Sequence, residues 1–150
     1  MKNFFKILML FIFVSSCDYK PIFSSENSSF AISDFKLINE NYLGKRIKKS
    51  FKNYSDFSKK KVFKVELGVD KNKEITSKDA RGNISTFRIN IICDFKIYQN
   101  QKLLKSKKIN QSFLYNNSKN KFDLKKYESQ IEENLLNKVV EELLLELYSA

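Results

Sequence analysis

The chain contains no histidine and no tryptophan, and it has only three glycines, one proline and two cysteines. Without histidine, metal sites built on imidazole and histidine acid–base catalysis are excluded. Gly44, Gly68 and Gly82 are too scattered to form a phosphate-binding loop. Cys17 and Cys93 cannot build a disulfide framework, and Cys93 has no histidine to activate its thiol. Carboxylates are present, but none forms a recognisable pair in an apolar setting. The chain is therefore expected not to be an enzyme and to need no metal or cofactor. A run long enough to span a membrane is also missing. The apolar stretch Phe4 to Val14 has roughly ten residues, and a span needs about 20.

That stretch follows Lys2 and Lys6 and ends in Val14-Ser15-Ser16-Cys17. A basic start, a short apolar segment and small residues make a secretory signal peptide over residues 1–16. One alternative is an ordinary signal peptide with an incidental cysteine. However, an apolar residue and two small ones directly ahead of Cys17 resemble the lipobox of bacterial lipoproteins. That resemblance implies that Cys17 is acylated and becomes the first mature residue. Residues 17–29 then read as a lipidated N-terminus and tether, polar and rich in Ser and Asn, with the only proline, Pro21.

Removing 16 residues from 150 leaves 134, which suits a single domain over residues 30–150. Lys2 and Lys6 leave with the signal peptide, so 26 basic residues face 17 acidic ones, a balance of +9. Such an excess suggests an anionic partner. Aromatic residues between lysines could stack single-stranded nucleic acid. An exported protein seldom meets nucleic acid, so lipid or an acidic protein is the expected partner. Lysines that only keep the protein soluble are the plainer alternative.

The mature pattern alternates between two periods. Phe30 to Ile38 reads as a first strand. Asn39 and Asn41 can cap a helix whose stripe is Leu43, Ile47, Phe51 and Tyr54, with Lys45, Arg46, Lys48, Lys49 and Lys52 on its other faces. Such a helix covers a sheet or lies on a membrane. Phe63, Val65, Leu67 and Val69 alternate with polar residues, so a half-buried strand follows and continues to Lys78 past an irregularity at Asp70–Lys73. Asp79 to Asn83 is a turn, with Gly82 and Asn83 able to take positive φ. Ile84 to Tyr98 places Phe87, Ile89, Ile91, Cys93, Phe95 and Ile97 on one face. Cys93 is then a small buried hydrophobe. Asn100-Gln101 makes a tight connection to a basic edge strand, Lys102 to Tyr115, with Leu103, Ile109, Phe113 and Tyr115 on one face. Asp123 can cap a final helix reaching about Tyr148, whose stripe runs Leu124, Tyr127, Ile131, Leu135, Val139, Leu143, Leu147. The expected fold is α+β, with two helices packed on one face of a four-stranded mixed sheet in the order β-α-β-β-β-α.

The lipobox Cys17 is followed by Tyr19-Lys20-Pro21-Ile22-Phe23, then by this order of elements, by Ser112-Phe113-Leu114-Tyr115-Asn116 and by Tyr127 in a Glu/Leu-rich helix. Together these resemble LptE, the lipopolysaccharide-assembly lipoprotein family of Gram-negative outer membranes. Two features depart from it: Asp18 stands where relatives often have glycine, and the turn lacks part of the Thr/Arg-rich pattern. The resemblance implies a protein on the periplasmic face of the outer membrane, held by its lipid. It implies that the domain plugs and helps assemble an LptD-like β-barrel and binds lipopolysaccharide. In some bacteria Asp after the acylated cysteine retains a lipoprotein in the inner membrane. The candidate contacts for lipid phosphates are Lys78 and Arg81 at the first hairpin, and Lys119 and Lys121 before the last helix. Arg88 and Lys96 are expected on the non-core face of the strand that follows Arg81. The alternative from another class is a generic envelope lipoprotein, acting as a pilotin or assembly scaffold.

Overall fold

The computed structural model describes residues 28–56, 58–59 and 61–150. The signal peptide, Cys17, Asp18 and the Tyr19–Phe23 stretch lie outside the described residues. Four strands make one open sheet in the order β1-β2-β3-β4. They are β1 (Phe30–Leu37), β2 (Lys61–Lys78), β3 (Ile84–Gln99) and β4 (Lys102–Asn116). Helix α1 (Tyr42–Ser50) connects β1 to β2, and helix α2 (Lys121–Ser149) closes the chain. β1 and β2 pair in parallel, and the other two ladders are antiparallel. The α+β order read from the periodicities is the order observed.

The connection after β1 is built by two asparagines with different tasks. Asn41 caps α1, its Oδ1 accepting from the Gly44 amide at 2.8 Å. Asn39 acts as a side-chain extension of the sheet: it donates to the Val69 carbonyl at 2.8 Å and accepts from the Val69 amide at 2.9 Å. Gly44 has a packing reason. A Cβ there would stand 3.2 Å from Leu37 Cδ2, so glycine lets α1 approach β1. The helix ends at Phe51 and passes into a 3₁₀ turn, Lys52–Tyr54. Leu43, Ile47, Phe51 and Tyr54 are all buried, so the stripe covers the sheet.

The core lies between the helices and one face of the sheet. Phe63, Val65, Leu67 and Val69 of β2 meet Ile91, Cys93, Phe95 and Ile97 of β3, and all are 0–1% exposed. Leu135, Val139, Leu143 and Leu147 of α2 lie over them in the same cluster. Fully burying such a side chain is worth about 1.5–3 kcal/mol. Ser28 is buried as well, its hydroxyl donating to the Phe30 carbonyl at 3.0 Å.

Five details differ from the sequence reading. β2 is continuous through Asp70–Lys73, and its register shifts come later, between Ile75 and Lys78. In the β2–β3 turn only Gly82 has positive φ, +82°. Asn83 instead donates its backbone amide to the Asp79 carboxylate at 2.9 Å. A register shift beside Tyr98 sets Leu103 opposite Tyr98, on the face away from Ile109, and leaves it exposed. Asn120, not Asp123, caps α2, accepting from the Phe122 and Asp123 amides. Tyr127 is on the rim of the core rather than inside it, 44% exposed with its ring edge-on to Tyr115. The Asn100–Gln101 connection has both residues at positive φ, 49° and 65°, as a tight hairpin requires.

Cys93 is 0% exposed and burial pushes its thiol up to about 12. It should label only on unfolding, and fast labelling of the native protein would contradict this packing. Cys93→Ala should cost on the order of 1 kcal/mol or somewhat more in denaturant titrations. Cys93→Asp should cost several times that, because it buries an unpaired charge.

Candidate functional site

Strands β2 and β3 run past the region that α1 covers. Along β2 the buried pattern stops at Val69, and Ile75 is 51% exposed although it continues the core-facing parity. The hairpin tip is held by Asp79, whose carboxylate accepts from the Arg81 and Asn83 amides at 2.9 Å and from Asn83 Nδ2 at 3.1 Å. Those bonds hold the Asp79 carboxyl below its usual range, Asn83 contributing most. Behind the tip, Thr86 shares hydroxyl bonds with Thr76 at 2.6 Å and Ser77 at 2.7 Å.

The loop before α2 is fastened to this hairpin. Asn117 donates its backbone amide to the Ser85 carbonyl and its side-chain amide to the Ile84 carbonyl, both at 2.8 Å. Lys121 donates to Asn117 Oδ1 at 3.1 Å and to the Ser118 carbonyl at 3.0 Å. Lys78 pairs with Ile84 in the ladder. Lys78, Arg81, Lys119 and Lys121 are thus brought to one end of the sheet, all exposed. Among the described residues, Lys78, Arg81 and Lys119 have no acidic partner, whereas Lys121 is held by its own loop. Arg88 is neutralised by Glu74 at 3.1 Å, and Lys96 is exposed on the same open face.

The sequence reading missed the apolar part of this end. Ile75, Leu114 and Phe122 are 51%, 54% and 78% exposed; Ile75 stands opposite Phe87, which stacks on Tyr115, while Leu114 stands opposite Arg88 on the other face of the sheet. Alternation assigned Phe113 to the core, but it is 42% exposed at the sheet edge. Basic and apolar groups therefore share this end of the sheet. Such a surface can hold an anionic amphiphile: ammonium and guanidinium groups meet phosphate while apolar side chains meet acyl chains.

A second polar group joins the helices to the sheet. Glu132 accepts from Tyr42 Oη and Lys71 Nζ, each at 2.6 Å. Glu128 accepts from Lys73 Nζ at 2.6 Å and Tyr115 Oη at 2.7 Å. Lys73 also lies 4.1 Å from the Phe87 ring centre. Tyr42, Lys71, Lys73, Glu128 and Glu132 line a cleft of about 360 Å³, in which both glutamates are already paired with lysines. The Glu132 bond raises the Lys71 pKa against the opposing effect of burial. Burial and Glu132 raise that of Tyr42. At Glu128 burial acts upward, but the Lys73 and Tyr115 bonds outweigh it and lower the pKa. On the edge strand, Lys105 and Lys107 turn toward α2 and both bond Glu146, which lowers the Glu146 pKa. No group of three acidic or cysteine side chains among the described residues could hold a metal ion.

No family model matches the chain, and no curated protein matches it. Solved structures do. Rare lipoprotein B from Shewanella oneidensis superposes with a TM-score of 0.59 at 13% identity, over 77% of this chain and 94% of that one. A lipoprotein B from Nitrosomonas europaea gives 0.60 at 12%, over 77% and 83%. A minor lipoprotein from Acinetobacter baumannii gives 0.60 at 7%, over 79% and 90%. The chain has the fold of these lipoproteins. At such identities the likeness is one of backbone, and the basic and apolar surface described above belongs to this chain's own sequence.

The carboxylates held by lysines set the acid limit of the fold. Glu128 and Glu146 have folded pKa values below their ordinary value of 4.5. A group lowered in the folded state stabilises it above the unfolded pKa and loses that contribution as pH falls through the folded one. Melting temperature should therefore decline from about pH 4.5 downward with these groups contributing. Glu146→Gln should melt lower than the parent at pH 7 and show a weaker acid decline. An unchanged acid profile in that variant would contradict the role of Glu146.

Proposed function

We infer that this protein is an outer-membrane lipoprotein of the LptE type, anchored through Cys17 on the periplasmic face. It plugs and helps assemble an LptD-like barrel and binds lipopolysaccharide on its way to the cell surface. Its chemistry is binding without turnover. The observation that carries this reading is the hairpin end. Lys78, Arg81, Lys119 and Lys121 gather there beside exposed Ile75, Leu114 and Phe122. That combination matches a phosphorylated amphiphile better than a soluble anion. The backbone likeness to solved lipoproteins and the resemblance in residues 17–23 support the same reading.

The second face of the sheet supports the barrel partner. It carries paired charges, Lys64–Asp34 at 3.1 Å, Arg88–Glu74 at 3.1 Å and Lys108–Asp94 at 3.7 Å, with Asn90 and Tyr98 between them. A neutralised polar face of this kind fits against the polar interior of a large barrel. Arg81 should dominate phosphate binding, because its planar fork can hold one phosphate in two bonds.

A pull-down from detergent-solubilised envelopes should bring down one large β-barrel protein. Its absence would leave a generic pilotin or scaffold role. Arg81→Glu with Lys121→Glu should weaken lipopolysaccharide binding about tenfold or more at low salt, as two charge-assisted contacts become repulsive. Melting temperature and barrel capture should stay near the parent's, since an acid in the first turn of α2 is favourable there. Unchanged lipopolysaccharide affinity in the double variant would rule out the hairpin end.

A further inference from the structure

Most basic residues in the middle of the sheet are answered by acids. Lys71 and Lys73 meet Glu132 and Glu128, Lys105 and Lys107 meet Glu146, and Arg46 meets Glu132 and Glu133 at 3.8 and 3.7 Å. Lys45, Lys48, Lys49 and Lys52 are different. They project from α1 and its 3₁₀ extension toward the β1 edge, where they line a groove of about 380 Å³ floored by Phe35 and Phe51. Among the described residues none of the four has an acidic partner. Asp34, which also lines the groove, is taken by Lys64 at 3.1 Å. Helix α1 is therefore a packed element with one unanswered cationic side.

The position of that side is specific. The described residues begin at Ser28, and Phe30 stacks on Tyr54 at 5.3 Å, one turn of chain from Lys52. Lys61, exposed, stands opposite Phe30 in the β1–β2 register. The C-terminal turn of α1, with Lys48 and Lys49, is at the same end. The hairpin tip is at the other end of the sheet: β3 has 16 residues and so spans roughly 50 Å. Between Cys17 and Ser28 lie 11 residue steps, which reach about 40 Å at most. An acyl group on Cys17 would keep the lysine-bearing end within that reach of a bilayer, with the hairpin end a sheet length further along the chain's strands.

We propose that the Lys45, Lys48, Lys49 and Lys52 face of α1, with Lys61, docks on the anionic phospholipid headgroups of the membrane that carries the anchor. The proposal rests on the acylation of Cys17 in the reading above. Clusters of four to eight lysines beside a membrane segment bind anionic lipid surfaces through charge. A lipid anchor supplemented by a basic patch also holds better than either alone. Docking at this end fixes the orientation of the domain, with Arg81 and Lys78 directed away from the bilayer.

The test uses the mature acylated protein reconstituted into vesicles of phosphatidylcholine, with or without phosphatidylglycerol. Lysines are acetylated with a water-soluble reagent and read by mass spectrometry. Lys45, Lys48, Lys49 and Lys52 should acetylate on the order of fivefold more slowly in the anionic vesicles at low salt. Lys78 and Lys119 should react equally in both, and high salt should erase the difference. Lys48→Gln with Lys49→Gln and Lys52→Gln, which adds no acid to the last turn of α1, should melt close to the parent and lose the protection at Lys45 and Lys61. Equal acetylation in both lipid compositions, or protection at Lys78 and Lys119 instead, would overturn the proposal and leave the groove to an acidic protein segment. Flotation separates the two readings: protein that fails to float even with neutral vesicles lacks the anchor, and the docking proposal falls with it.

Discussion

The fold depends on one apolar seam. The middle strands β2 and β3 offer an unbroken row from Phe63 to Val69 and from Ile91 to Ile97, and α2 lays Leu135, Val139, Leu143 and Leu147 across it. Neither half could stand alone, since a two-stranded hairpin or a single helix is marginal in water. Once joined, they exclude water from the whole helix-bearing face near Cys93. The short α1 seals the remaining corner with Leu43, Ile47 and Phe51. What the seam does not reach remains open, and that includes the far half of the hairpin and the second face of the sheet.

The limit of the seam also arranges the charge. Where α2 crosses the sheet, its glutamates meet lysines that strand parity turns inward. Lys71 and Lys73 meet Glu132 and Glu128, and Lys105 and Lys107 meet Glu146. Inward lysines on β4 also blunt an edge that would otherwise pair with other strands. The two ends lie outside this pairing. One carries Lys48, Lys49, Lys52 and Lys61 where the chain enters, and the other carries Lys78, Arg81 and Lys119 at the hairpin. The net charge of the protein is thus not spread evenly but weighted toward two poles, separated by the length of the sheet.

The surfaces that are present suit the binding role proposed above. The paired, nearly neutral face of the sheet is suited to lie against a large polar partner. The hairpin pole combines unpaired cations with Ile75, Leu114 and Phe122, the groups that a phosphorylated lipid would meet. The likeness to solved structures at 7–13% identity is one of backbone fold. A shared frame at so low an identity is expected if hydrophobic periodicity is enough to specify it.

The strands and helices were legible because burial on one face writes a period into the chain. Phe87 to Ile97 repeats every two residues, and Leu43 to Tyr54 or Leu124 to Leu147 every three or four. Cys93 could be placed in the core for the same reason. Local chemistry was less legible. Asn120 rather than Asp123 takes the cap, and Asp79 rather than Asn83 shapes the turn, because several polar residues in each loop can offer the same hydrogen bond. Leu103 escaped its face because one extra residue beside Tyr98 shifts the register, which no periodicity reveals. Only the tertiary structure decided which lysines are neutralised, since their partners are 39–61 residues away in the chain. It also decided where the helices stop covering the sheet, and so left Ile75 and Phe113 in water despite core-facing parity. Sequence periodicity determines which face of an element is apolar, and only the packing of distant elements determines how much of that face is covered.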